Sequence, residues 1–539
     1  MDLRGKTGLL IDDVAEMRNA VRIQLADAGI QSCDSVRNVK EAVVKLTARR
    51  YDLVVCDYNL GQGADGQQLL ELVRRNKLLP LTTAFLMITG ETGYEQVSTA
   101  AEFAPDDYLL KPFTSDVLAT RLSRILDKKE ALAPIYKHMG AKGDKALALA
   151  ACDQVLAEQP RYATDVLRLK GDLLLALNRI DEALALYESV LQQRATPWAA
   201  VGKARALAAS GKDDEAKEGL QQALAAYPNY LAAYDSLAGL LQKTDKVAAQ
   251  QIVEQALKVA PSTRRQRQLG SLALENRDFS RAEEAYKRAV DKDRTGFFKS
   301  FDDYAGLAKS CSEQGKTQEA LAAVKDMGVH FTRSPELAAH QAATEAGVQL
   351  RAGNTAAAQA ALETALAVSK DANLAPETAL AVAQACFASG RNNEAKAIIQ
   401  AVAEDHHEND EVLAQAQSVF SAAGMGSEGA MFLEATRKRM VKLNNDAVAM
   451  AKAGQLDEAV TMLAEAADRL TNNCQVAINA ALAVLMQAQK QGPTPEHFAL
   501  ALRYILQARK VNADYPRLGE VIAFYRKLAP PGTPPIPEQ

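Results

Sequence analysis

Tryptophan occurs once in this chain, cysteine six times, and aromatic residues make up only 5% of its 539 positions. The cysteines, at 33, 56, 152, 311, 386 and 474, contain no C-x-x-C pair and lie far apart, which excludes an encoded zinc site or disulfide framework and leaves them as small core hydrophobes. Glycine and proline, 30 and 18 residues, are below average usage, and only the final PPGTPPIPEQ reads as unstructured. Long apolar runs are also missing. No stretch approaches 18 apolar residues without charge, and MDLRGKTGLLIDD reaches its acids too soon for a signal peptide, so no membrane insertion is expected and the expected location is the cytoplasm. Neither sign of charge dominates: 63 basic residues against 67 acidic ones give a net charge of -4, which removes the bulk footprint of a general nucleic-acid binder. What the chain has in abundance is alanine, the mark of closely packed helices.

Within the first 130 residues, short apolar runs end in chemistry-bearing side chains. Thr7 to Ile11 runs into Asp12-Asp13, Leu53 to Cys56 into Asp57, Ala84 to Ile88 into Thr89, and Tyr108 to Leu110 into Lys111, with helical spacing between them. Continuous apolar strands alternating with helices predict a doubly wound parallel sheet, five-stranded, whose carboxyl-end loops gather along one edge. Asp12, Asp13, Asp57, Thr89 and Lys111 therefore converge. Three carboxylates in one pocket need a cation, and an all-oxygen set suits a hard ion such as Mg²⁺. An aspartate nucleophile, a metal, a lysine and a hydroxyl are the parts that phosphoryl transfer requires.

On these residues the chain resembles the receiver domain of bacterial two-component response regulators, over about residues 5 to 128. Asp12 and Asp13 match the acidic pair, Asp57 the phospho-accepting aspartate, Thr89 the switch hydroxyl, Tyr108 the aromatic switch residue, and Lys111-Pro112 the lysine followed by a cis-linked proline. The resemblance implies that Asp57 takes a phosphoryl group from a histidine kinase or histidine phosphotransfer protein. It also implies Mg²⁺ held by Asp13, Asp57 and the Asn59 carbonyl, with Asp12 acting through a bound water. Gly90 fits the small residue required beside the phosphoryl group. Asn59 and Glu91 fall at positions that tune dephosphorylation, and their identities resemble the chemotaxis type. The loop Asn59 to Gly66 departs from the family's usual version by one extra residue and a missing proline.

Beyond residue 130 a repeated unit takes over, in which a turn residue is followed five positions later by an alanine. The pairs are Gly143/Ala148, Asn178/Ala183, Gly211/Ala216, Thr244/Ala249, Arg277/Ala282, Gly315/Ala320, Gly353/Ala358, Gly390/Ala395 and Gly454/Ala459, with a blurred copy around Gly424 to Met431. Successive alanines lie 35, 33, 33, 33, 38, 38, 37 and 64 apart, the period of a helical solenoid. Alanine lets antiparallel helices approach, and glycine supplies positive φ at a helix end. The unit resembles the tetratricopeptide repeat, best at Leu269-Gly270, Ala282, Tyr286 and Ala289, with Pro160, Pro228 and Pro261 as closing prolines. From Ala282 onward the longer period and absent prolines depart from that family.

The expected domains are a receiver at 1–128, about ten tetratricopeptide-like helix pairs at 129–525 and a flexible tail at 526–539. Trp198 reads as a packing residue. The His406-His407 pair reads as a solvated turn, and Arg264-Arg265-Gln266-Arg267 and Arg437-Lys438-Arg439 as exposed basic helix faces without direct nucleic-acid contact. No second catalytic constellation follows residue 130, so no enzyme is expected. The expected function is a response regulator, phosphorylated on Asp57, that controls a partner protein bound in the repeat groove; a homodimer is left open. The alternatives are a transcription regulator using the repeats as an effector or dimerisation module, and a phosphate-sink receiver. No helix-turn-helix follows the receiver, which counts against the transcription regulator.

Overall fold

A computed structural model describes residues 3–61, 64–90, 103–140, 143–294, 296, 298–513, 515, 517–530 and 532–537. Five strands, β1 (Thr7–Ile11), β2 (Ser32–Val36), β3 (Leu53–Asp57), β4 (Ala84–Thr89) and β5 (Asp107–Leu110), form one parallel sheet in the order β2-β1-β3-β4-β5. Strands buried on both faces explain the unbroken apolar runs. Leu9, Ile11, Val54, Cys56, Phe85 and Met87 point into one core, under the helices α2 (Val39–Ala48) and α3 (Gly66–Arg75). Leu10, Leu53, Val55, Leu86 and Ile88 point into the other, under α1 (Ala15–Asp27) and α4 (Ser115–Met139). The edge strand β2, SCDSV, is half exposed and has no apolar run, so periodicity does not mark it.

Helix α4 serves two cores. Leu118, Leu122, Ile125 and Leu126 complete the sheet's core, and Leu132 and Ile135 begin the core of the first repeat. The helix runs through the charged stretch Asp127 to Glu130 without a break, with Pro134 inside. At the changeover Lys129 is buried, its ammonium 2.8 Å from Asp106 Oδ1 and donating to the Leu81 carbonyl at 2.9 Å.

The repeats follow as helical hairpins. The nine alanines of the spacing pattern are all buried. Asn178, Gly211, Arg277, Gly315, Gly353, Gly390, Gly424 and Gly454 have positive φ, as expected of helix-ending turns, whereas Gly143 and Thr244 do not. At Asn178 the ending is a Schellman motif: Arg179 N–H donates to Leu174 O at 2.9 Å and Asn178 N–H to Leu175 O at 3.0 Å. Other glycines serve packing, since a Cβ at Gly270 or Gly306 would lie 2.6 or 2.3 Å from the Tyr286 ring. Trp198 packs edge-on against Tyr187, centroids 6.2 Å apart.

The chain divides into two compact units, 1–310 and 311–539. In the second, helices Pro335–Arg351 and Thr355–Asp371 are lengthened, which accounts for the wider spacing there, and Gly426–Lys452 is one long helix across the blurred copy. Two readings are corrected. The His406-His407 turn is not solvated: His407 is buried, receiving Asn473 Nδ2 at 3.0 Å on Nδ1 and lying 3.3 Å from Gln475 Oε1. The Arg264 to Arg267 cluster is not an exposed face: Arg265 is 3% exposed and grips Asp235 through two bonds at 3.0 and 2.7 Å, while Arg267 grips Asp303 at 2.6 and 2.7 Å. Acids contributed by neighbouring repeats, invisible to a local reading, hold these guanidinium groups inside. Near the end of the chain, Ile536 is buried, Tyr525 donates to Pro534 O at 3.0 Å and Arg509 to Pro537 O at 2.8 Å.

Candidate functional site

Parallel registry sets the site. Ile11 pairs with Cys56, Asp57 with Ile88 and Thr89 with Leu110, so the residues that follow these strands meet at one edge. Asp12 is buried at 2% exposure, its Oδ1 accepting the Val14 N–H at 2.9 Å, while Asp13 is exposed at the rim. One carboxylate oxygen from each of Asp12, Asp13 and Asp57 lies within 4.8 Å of the other two. Lys111 reaches between two of them, its Nζ 2.8 Å from Asp57 Oδ2 and 3.2 Å from Asp12 Oδ2. The peptide bond from Lys111 to Pro112 is cis, and the Lys111 N–H donates to Thr89 O at 2.8 Å.

Burial raises the Asp57 carboxyl above its ordinary value, reinforced by the charge on Asp12 and opposed by the hydrogen bond and charge of Lys111. Burial alone would lower the Lys111 ammonium; its hydrogen bond to Asp57 and the charges of Asp57 and Asp12 outweigh it and raise the ammonium. An acidic pocket neutralised by one lysine can take up a further cation. An oxygen-only donor set of two reachable carboxylates, Asp13 and Asp57, fits a hard divalent ion.

Of the other site residues read from the sequence, Thr89 is buried beside Asp57's neighbour Ile88, and Gly90 has open space where a Cβ would stand. Tyr108 is half-buried against the sheet core. Asn59 is exposed, its side chain accepting the Gly61 N–H at 3.1 Å. Glu91 lies outside the described residues. Three builders of the site were not singled out. Arg18, one turn into α1, donates to Asp12 O at 2.7 Å and so ties the acidic loop down; its i+6 spacing from Asp12 was the available signal. Gly61, at φ 70°, brings backbone so near the acids that a Cβ would stand 2.6 Å from Asp13 Oδ2. Gly66 begins α3 where a Cβ would lie 2.3 Å from Asp57 O.

Residues 9–123 match the response regulator receiver domain, and 140–200, 174–241, 239–297 and 267–326 match tetratricopeptide repeats. The chain is similar to chemotaxis protein CheY-3 of Vibrio cholerae, 33% identical over 22% of this chain and 91% of that protein. It is similar to chemotaxis protein CheY of Pseudomonas aeruginosa at 32% identity, over 22% of this chain and 95% of that one. Among solved structures, a tetratricopeptide repeat protein from Parabacteroides merdae covers 44% of this chain and 92% of its own, with 17% identity and a TM-score of 0.29.

Proposed function

Since the chain belongs to the response regulator family, with a receiver domain followed by tetratricopeptide repeats, we propose that Asp57 is its phospho-acceptor and that the repeats bind a protein whose engagement depends on the state of Asp57. The observation that carries this is Lys111 held between Asp57 and Asp12 while Asp13 stands within 4.8 Å. The donor is a phosphohistidine on a histidine kinase or histidine phosphotransfer protein. An Asp57 carboxylate oxygen forms the new P–O bond as the P–N bond breaks, and its electron pair returns to the imidazole. Lys111 supplies a cation to the phosphoryl oxygens, and the Thr89 hydroxyl a hydrogen bond. Asp13, Asp57 and the Asn59 carbonyl would hold Mg²⁺, with Asp12 acting through a bound water; the ion would supply positive charge that neutralises the transferring group. Thr89 and Tyr108 act as the switch, and Asn59 and Glu91 set the lifetime of the acyl phosphate.

In this reading, residues 1–128 form the receiver, 129–525 the binding repeats and 526–539 the tail. No helix among the described residues is long and apolar enough to cross a membrane. The test is intact mass after incubation with acetyl phosphate and Mg²⁺. One phosphoryl group is expected in wild type and none in Asp57→Asn; equal labelling of the two would remove the assignment.

A further inference from the structure

The repeat period lengthens at one place chiefly because of a connection. Ala249 and Ala282 are 33 residues apart, Ala282 and Ala320 are 38 apart. The helices before the two connections, Lys246–Val259 and Phe279–Asp293, differ by a single residue. The connection into helix Thr263–Glu275 is only 260–262, whereas the one into Phe301–Glu313 is 294–300. The added residues carry Phe298 away from its own repeat. Its side chain packs against the receiver core that contains Leu69 and Leu72, and the Arg75 guanidinium from α3 lies 5.6 Å from the centre of its ring. Arg267 braces the loop, donating to Phe298 O at 3.1 Å while holding the buried Asp303.

Around this contact a cavity of about 130 Å³ is bordered by Tyr58, Asp65 and Gln67 of the receiver and by Arg264 and Lys292 of the repeats. The Asp65 carboxyl feels the Lys292 charge across it. A ring, a guanidinium and a separated charge pair around a void make a reversible contact, unlike the filled cores on either side.

The receiver half of this contact is mechanically tied to the acceptor. Asp65 caps α3 in a reciprocal box with Gln68, at 2.7 and 3.0 Å, and Gly66 sits against the Asp57 carbonyl. In the connection between β3 and α3, Gly61 closes onto Asp13. Because Gly66 leaves no room between α3 and the Asp57 carbonyl, a shift of the end of β3 on modification of Asp57 carries the start of α3 with it.

We infer that the Phe298 loop is a latch, holding the receiver's Tyr58–Arg75 face on the repeats while Asp57 is unmodified and releasing it on phosphorylation. The inference rests on Asp57 being the acceptor. By linkage, whatever opens the latch must also favour modification of Asp57.

Hydrogen–deuterium exchange on the full chain tests this, with and without acetyl phosphate and Mg²⁺, in peptides covering 66–75 and 263–275. Exchange in both should rise about 5-fold or more on labelling. Phe298→Ser should show that rise without donor and label several-fold faster; Arg75→Gln, a surface change that spares the fold, should move both readouts the same way. Unchanged exchange in protein whose mass shows one phosphoryl group overturns the latch and leaves the acceptor reading standing. Wild-type labelling rates in both variants also overturn the latch. Absence of label from wild type removes the acceptor reading and the latch with it.

Discussion

The buried pair inside α4 offers a stability test whose size follows from its surroundings. Lys129 is 6% exposed, and its ammonium has Asp106 Oδ1 at 2.8 Å, the Leu81 carbonyl at 2.9 Å and the Tyr136 ring 5.6 Å away. Asp106 Oδ2 accepts the Phe85 N–H at 2.8 Å and lies 3.6 Å from Arg74. Lys129→Met keeps the aliphatic stem and removes the charge. Breaking a buried pair by deleting one partner costs about 3–5 kcal/mol, because an uncompensated charge stays inside. Arg74 and the Phe85 N–H still support Asp106, so the expected loss is about 2–3 kcal/mol. In Lys129→Met/Asp106→Asn no charge is stranded, and the combined loss should fall short of the sum of the single losses by about 1–3 kcal/mol. Native-state hydrogen exchange, read in peptides 53–57, 115–128 and 131–139, reports the local opening free energies. Because Lys129 lies where α4 passes from one core to the next, the loss should appear on both sides of it. Strict additivity of the two single variants would refute the reasoning, since it would mean that the pair has no mutual attraction worth measuring.

Gly66→Ala, which places a Cβ 2.3 Å from Asp57 O, should slow acetyl phosphate labelling by displacing the acceptor strand's end, measured by intact mass against time. Gly306→Ala should cost about 1–3 kcal/mol through overpacking on Tyr286, and Tyr286→Leu in the same chain should reduce that increment; thermal unfolding of the four proteins decides it. Burial pushes the Asp405 carboxyl up to about 6 from 3.8. Its contribution to stability is therefore full below the unfolded value and is lost as pH rises through the folded one, about 2–3 kcal/mol over that window. Asp405→Asn should flatten the change in Tm between about pH 4 and 6 and raise Tm at neutral pH.

Local chemistry determined much of this protein. Buried parallel strands must be apolar on both faces, so β1, β3 and β4 announce themselves, and loops at their carboxyl ends must share an edge, which is why Asp12, Asp13, Asp57, Thr89 and Lys111 could be brought together from spacing alone. The repeats were legible for a similar reason: a helix crossing tolerates only small residues and a helix-ending turn favours positive φ, so Ala183 or Ala395 and Gly211 or Gly390 recur in phase. Only tertiary structure decided the rest. Strand β2 is a half-exposed edge with no periodic signature. The burial of Arg265, Arg267 and His407 depends on Asp235, Asp303 and Asn473, between 30 and 66 residues away, and no local window contains both partners. The lengthened step after Ala282 was visible as a number, but its meaning was not. Whether extra residues extend a helix or leave it is settled by what lies opposite, and for Phe298 that is the receiver's own core and Arg75.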